Sequence, residues 1–124
     1  MNVSDFDGDS AVQDDVAQKE ESDKALICVA CSHVVTHERF KVSRGGAHQH
    51  SFTNPTGYVY QIGCFESAPG AMPLGEYTGE FTWFKDYAWC YADCGRCHNH
   101  LGWHFSGTRG SDFFGLRLDQ IAEM

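Results

Sequence analysis

Two C-x-x-C pairs, Cys28 with Cys31 and Cys94 with Cys97, are the residues of this chain whose type and spacing most plainly carry chemistry. A tight turn through such a pair sets two thiolates on one side of an ion. Two such turns complete a tetrahedral four-sulfur site, with metal–sulfur distances near ~2.3 Å. The 62 residues between the pairs then form a loop that the metal closes, tying the two ends of the domain together. Two disulfides are the competing reading, and a reducing cytosol disfavours them. The expectation is one structural Zn2+ on Cys28, Cys31, Cys94 and Cys97. A closed four-sulfur shell leaves no position for water, so such a zinc holds the fold and does not catalyse. Cys64 and Cys90 remain, and they read as small buried hydrophobes. His98, His100 and His104 are close in sequence, but on a hairpin that spacing scatters imidazoles instead of gathering them.

All three tryptophans, Trp83, Trp89 and Trp103, fall within 21 residues around the second cysteine pair. They are either the centre of a small β core or the walls of a pocket. Tryptophan is rarely buried completely, and its N–H needs a partner, whereas Leu or Ile fills a core with no polar atom to satisfy. A metal pinning the turn at 94–97 would also bring the flanking segments together. Aromatic walls suit a flat or a cationic guest. The nearby carboxylates Glu80, Asp86 and Asp93 are few and scattered, so a cation is not favoured over a neutral ring. No nucleophile–base pair is evident among these residues.

The elements that must position these groups are short. The chain has 124 residues, enough for one domain, with 13 glycines and 3 prolines to break it into pieces. Strands are expected at 25–31, 58–65 and 75–84, and then from Leu101 and from Asp112. Residues 33–42 are ambiguous, 45–57 and 67–75 read as loops, and a helix is conceivable only at 116–124. Asn54-Pro55-Thr56-Gly57 has the chemistry of a type I turn. The pattern is that of a mostly β domain with antiparallel hairpins.

Charge divides the chain in two. Residues 1–23 carry eight acids and one base, out of a net charge of −8 for the whole chain. Such a segment buries too little apolar surface to offset its ordering entropy, so 1–23 is expected to be a disordered acidic tail and 24–124 the folded domain. DFDGDS lacks the position-12 Glu and flanking helices of a calcium loop. The near-neutral body argues against nucleic acid, which calls for a basic face. No apolar run approaches a membrane span, and the acidic start is unlike a secretory leader, so a cytoplasmic protein with no membrane partner is expected.

The order C-x-x-C, N-P-x-G-Y, W-x5-W, C-x-x-C, G-W-x-F resembles the CULT domain, the thalidomide-binding domain of cereblon. Here it comprises Cys28, Cys31, Asn54, Pro55, Gly57, Tyr58, Trp83, Trp89, Cys94, Cys97, Gly102, Trp103 and Phe105. The resemblance covers roughly residues 25–124 and is closest in kind to single-domain bacterial homologues. It implies a β-tent of two antiparallel sheets pinned by the zinc. It also implies that Trp83, Trp89 and Trp103 enclose a cyclic imide such as glutarimide, closed by Phe105 and edged by Asn54 and Pro55. An imide edge reads acceptor–donor–acceptor, and the Phe81 C=O with the Trp83 N–H can meet it. Phe81 stands where the animal proteins carry His, which removes one side-chain hydrogen bond and leaves the main-chain ones. Full-length cereblon's other segments have no counterpart here, so no ubiquitin-ligase partner is expected, and a monomer is.

Three functions compete on these residues. The first is a non-enzymatic module for cyclic imides, uracil-like rings or protein ends bearing a cyclic imide. The second is an enzyme like the methionine-R-sulfoxide reductases, which resemble this chain in fold and zinc pairs but use an R-x-C-x-N nucleophile. Neither Cys64 nor Cys90 has that setting. The third is a methyl-lysine reader using the same cage.

Overall fold

Glycine and proline punctuation yields nine short strands among the described residues, 23–107 and 111–124 of the computed structural model. They are β1 (Ala25–Cys28), β2 (Val34–His37), β3 (Gln49–Thr53), β4 (Val59–Phe65), β5 (Ala71–Thr78), β6 (Tyr87–Cys94), β7 (His100–Gly107), β8 (Phe113–Arg117) and β9 (Ile121–Glu123). A single 3-10 turn covers Glu38–Phe40. The acidic segment 1–22 lies outside the described residues. Asp23, assigned to the tail by its charge, accepts the Arg39 backbone N–H at 3.1 Å and pairs with the Arg39 guanidinium.

The strands form two antiparallel sheets, β2-β1-β9 and β3-β4-β8-β7-β6-β5. This is the mostly β, two-sheet architecture expected, with several boundaries moved. The stretch 45–57 contains β3, because His50 and Phe52 alternate inward and pack on Phe84. Residues 71–74, read as loop, begin β5 and pair with 91–94 of β6. Conversely, the strand expected at 75–84 stops at Thr78. Phe81 and Asp86 have left-handed backbones, φ 56° and 71°, which no strand accommodates. At the C-terminus a turn and β9 replace the conceivable helix, since Ile121 pairs with Cys28.

Two apolar clusters hold the sheets. Leu26, Val35 and Ile121 of the small sheet pack with Phe65, Leu101 and Leu116 of the large one. Each such side chain contributes about 1.5–3 kcal/mol on full burial. Ile62, Phe84, Phe105 and Phe113 form the second cluster with Cys64 and Trp103, beneath the other tryptophans. Cys64 and Cys90 are buried, as small hydrophobes would be.

Backbone contacts at Gly70 stitch the sheets where they approach. Its N–H donates to the Val35 carbonyl and its carbonyl accepts the Gly95 N–H, each at 2.9 Å. Thr36 Oγ1 adds a bond to the Ser67 carbonyl at 2.7 Å. A Cβ on Gly70 would lie 2.0 Å from the Val34 carbonyl oxygen, which is backbone and cannot step aside cheaply. Gly70→Ala is therefore expected to destabilise the domain by about 2–4 kcal/mol, measured by urea unfolding. An unchanged midpoint would show that this approach is not tight.

Candidate functional site

The cysteine pairs sit where strands end. Cys28 closes β1 and Cys94 closes β6, while Cys31 and Cys97 lie in the turns that follow. The two turns repeat one design. The residue after each second cysteine donates its N–H back to the first: Ser32 to the Cys28 carbonyl at 2.8 Å, His98 to the Cys94 carbonyl at 2.9 Å. Both residues adopt φ 67° to do so. The result brings all four sulfurs within 4.8 Å of one another. Cys28 and Cys97 Sγ are 3.7 Å apart, and Cys31 and Cys94 Sγ are 3.6 Å apart. Tetrahedral bonds of ~2.3 Å to one ion would separate the sulfurs by about 3.8 Å, so the set fits a single metal ion.

Surrounding groups favour thiolates. The Arg96 and Cys97 backbone N–H groups lie 3.4 and 3.5 Å from Cys94 Sγ. Asn99 Nδ2 reaches Cys28 Sγ at 3.7 Å and is oriented by Gln120 Oε1 at 2.8 Å. Burial pushes the Cys94 thiol up, but the N–H groups and neighbouring cysteines bring it down to about 7. The Asn99 backbone lowers Cys97, while desolvation and the other three sulfurs push it up to about 12. Sulfurs this close compete for negative charge, and a divalent cation among them removes the conflict.

A cavity of about 240 Å³ opens on the large sheet. Asn54, Pro55, Phe81, Trp83, Trp89, Trp103 and Phe105, the residues singled out in the sequence, all line it. Tyr60, Tyr91 and His100 line it too, and sequence reasoning missed them. Cross-strand register offered the signal for one of these, because Tyr91 stands opposite Trp103.

Each wall has a support. Trp103 on β7 is 6% exposed and meets Trp83 edge-on at 4.8 Å and Tyr60 at 5.0 Å. Trp83 is stacked on Phe52 at 4.9 Å. Trp89 on β6 donates its indole N–H to the Glu80 carbonyl at 2.7 Å, which holds the loop 79–86 over the cavity edge. Phe84 anchors that loop from below, buried against Phe105 and Phe113. Asn54 fixes the 54–57 turn: its Oδ1 accepts from Thr56 N, Thr56 Oγ1 and Tyr58 N. Trp83 thus stands on a tight loop, not on the strand expected. Among the described residues, the Phe81 carbonyl and the Trp83 N–H take no protein hydrogen-bond partner. Phe81 is 69% exposed, at the rim.

A two-sheet domain joined at a four-cysteine cluster, with an aromatic cavity on its larger sheet, is the architecture of a ligand-binding module. The chain is similar to cereblon of Gallus gallus, with 33% identity over 88 residues, covering 68% of this chain and 20% of that protein. Cereblon of Danio rerio shows 32% identity over the same coverage, and that of Drosophila willistoni 30% over 79% of this chain and 17% of its own. No protein-family model matches. These matches are consistent with a CULT domain, the family that the motif order resembles. The chain spans about a fifth of the length of the curated relatives it matches. Among the described residues, no helix is long and apolar enough to cross a membrane.

The cysteine geometry makes a direct prediction. Elemental analysis is expected to find one metal ion per chain, and a strong chelator is expected to abolish cooperative unfolding, because binding and folding are coupled. Cleanly folded protein with no bound metal would contradict it.

Proposed function

We propose that this chain is a binding module for small cyclic imides, with structural zinc on Cys28, Cys31, Cys94 and Cys97. The observation that carries the reading is a pair of backbone groups with no partner among the described residues, the Phe81 carbonyl and the Trp83 N–H, beside a cavity walled by three indoles. Unpaired main-chain groups at an apolar site carry a desolvation cost unless a guest satisfies them. An imide presents a donor flanked by acceptors, and so satisfies both while its apolar ring meets the indoles. Phe81 contributes through its main chain, and its side chain only rims the mouth. Asn54, Pro55, Trp89, Trp103 and Phe105 complete the binding set. Uracil-like rings and cyclic-imide protein ends share the same edge and belong to the same guest class.

Two observations support this reading over its rivals. The cavity lining contains no carboxylate, so a methylated ammonium would find no counter-charge there. For a sulfoxide-reducing enzyme, the spare thiols are poorly placed. Cys64 is fully buried and burial pushes its thiol up to about 11, while Cys90 is 2% exposed. Zinc is favoured by the chemistry of an all-thiolate tetrahedral set.

Isothermal titration tests the reading. Glutarimide is expected to bind, and N-methylglutarimide is expected to lose at least about 1–3 kcal/mol, because the Phe81 carbonyl loses its donor. Trp83→Ala, Trp89→Ala and Trp103→Ala should each weaken glutarimide by about tenfold or more. Phe81→Ala should change it less. Equal affinity for the two imides would refute main-chain recognition. Unchanged binding in all three folded Trp variants would return the indoles to a core role.

A further inference from the structure

The cavity has a second polar stretch of wall that the imide edge does not use. Asn54 is committed, with its Oδ1 accepting three hydrogen bonds within its own turn. Tyr60 lies beneath the Arg117 guanidinium, 5.1 Å from its ring centre. His100 is placed differently. It lines the cavity from the start of β7, edge-on to Trp103 at 5.1 Å and to Tyr91 at 5.6 Å. Among the described residues no ring contact joins it to Trp83, although both rings pack on Trp103. His100 and the imide-reading loop are therefore separate stretches of one wall.

The surroundings of His100 set its hydrogen-bonding character. Its Nδ1 faces Asp93 Oδ1, its cross-strand partner on β6, at 3.6 Å. At that distance the carboxylate is a charge neighbour, not a hydrogen-bond partner, and its field favours the ring proton on Nδ1. Burial first, and then Arg117, hold His100 below its ordinary value of 6.5, against the opposing pull of Asp93. The imidazole is neutral at pH 7, so Nε2 is left as an acceptor. In a wall of indoles, phenols and phenyl rings, a nitrogen acceptor is a chemically distinct point.

We infer that His100 is a specificity-determining residue of this cavity, favouring ring guests that carry a hydroxyl or N–H donor away from the imide edge. The inference rests on the imide reading above. A guest lacking such a donor offers the imidazole acceptor nothing, while a guest with one satisfies it. The preferred ligand class is thus a hydroxylated or amino-substituted cyclic imide, not the bare ring.

The test compares glutarimides bearing a ring hydroxyl with their fluorinated isosteres, which match them in size but donate no hydrogen bond. Both are titrated against wild type and His100→Phe. Phenylalanine keeps a flat ring between Tyr91 and Trp103 and removes the acceptor. Wild type is expected to prefer a hydroxylated guest by about fivefold. The variant is expected to lose that preference, read as the ratio of its affinities for the hydroxylated and fluorinated guests. Wild type that binds glutarimide but does not discriminate would overturn this inference alone, with no need for the variant. A preference that survives in His100→Phe would overturn it too. Failure of wild type to bind glutarimide at all would overturn the imide reading, and this inference with it.

Discussion

Four sulfurs within 4.8 Å of one another are the constraint on which the rest of this structure depends. Thiolates at that spacing repel, and protons cannot be shared among them without leaving some sulfurs far from their ordinary titration. A single divalent cation resolves this. An ion held there would also join the end of β1 to the end of β6, and so the small sheet to the large one. The apolar cluster between the sheets and the Gly70 backbone bonds act in the same place. A domain of this size, with so few long elements, gains most from a staple of that kind.

The staple reaches the cavity along covalent paths. The turn that carries Cys97 is the connection between β6 and β7, and those two strands carry Trp89 and Trp103 as neighbours in register, Trp89 opposite Phe105 and Tyr91 opposite Trp103. The metal turn thus fixes two of the three indoles through a hairpin. The third depends on loop 79–86, which is held by buried Phe84, by the Trp89 indole bond to Glu80 and by Phe52 stacked on Trp83. That loop has a left-handed residue at Phe81, which turns the backbone out of strand geometry. Among the described residues it leaves the Phe81 carbonyl and the Trp83 N–H without protein partners, in contrast to the paired main chain of β6 and β7.

Features with a fixed local geometry were legible in the sequence. The C-x-x-C pairs, the Asn54–Gly57 turn and the strand carrying Trp103 fall where residue type dictates. The seven residues assigned to the cavity do share one. Features decided by tertiary packing were not legible. QHSFT reads as polar loop until His50 and Phe52 are seen to share Phe84 as a neighbour. The alternation of GEYTGEFTWF imitates a strand, yet beyond Thr78 the chain follows the cavity edge, not a neighbouring strand. Tyr60, Tyr91 and His100 gave little signal, because their place in the cavity follows from strand order in the large sheet, and strand order depends on contacts distant in sequence. Asp23, grouped with the tail by charge, is held by Arg39 sixteen positions away.

The central claim is that the main chain of the 79–86 loop, pinned over three indoles, reads the edge of a cyclic imide. A crystal structure of the chain with glutarimide tests it most directly. The account predicts the ring between Trp83, Trp89 and Trp103, its N–H donating to the Phe81 carbonyl and one ring carbonyl accepting the Trp83 N–H, each at about 2.7–3.2 Å. A ring bound in that cavity with its imide edge turned away from the loop, or bound elsewhere on the domain, would contradict it.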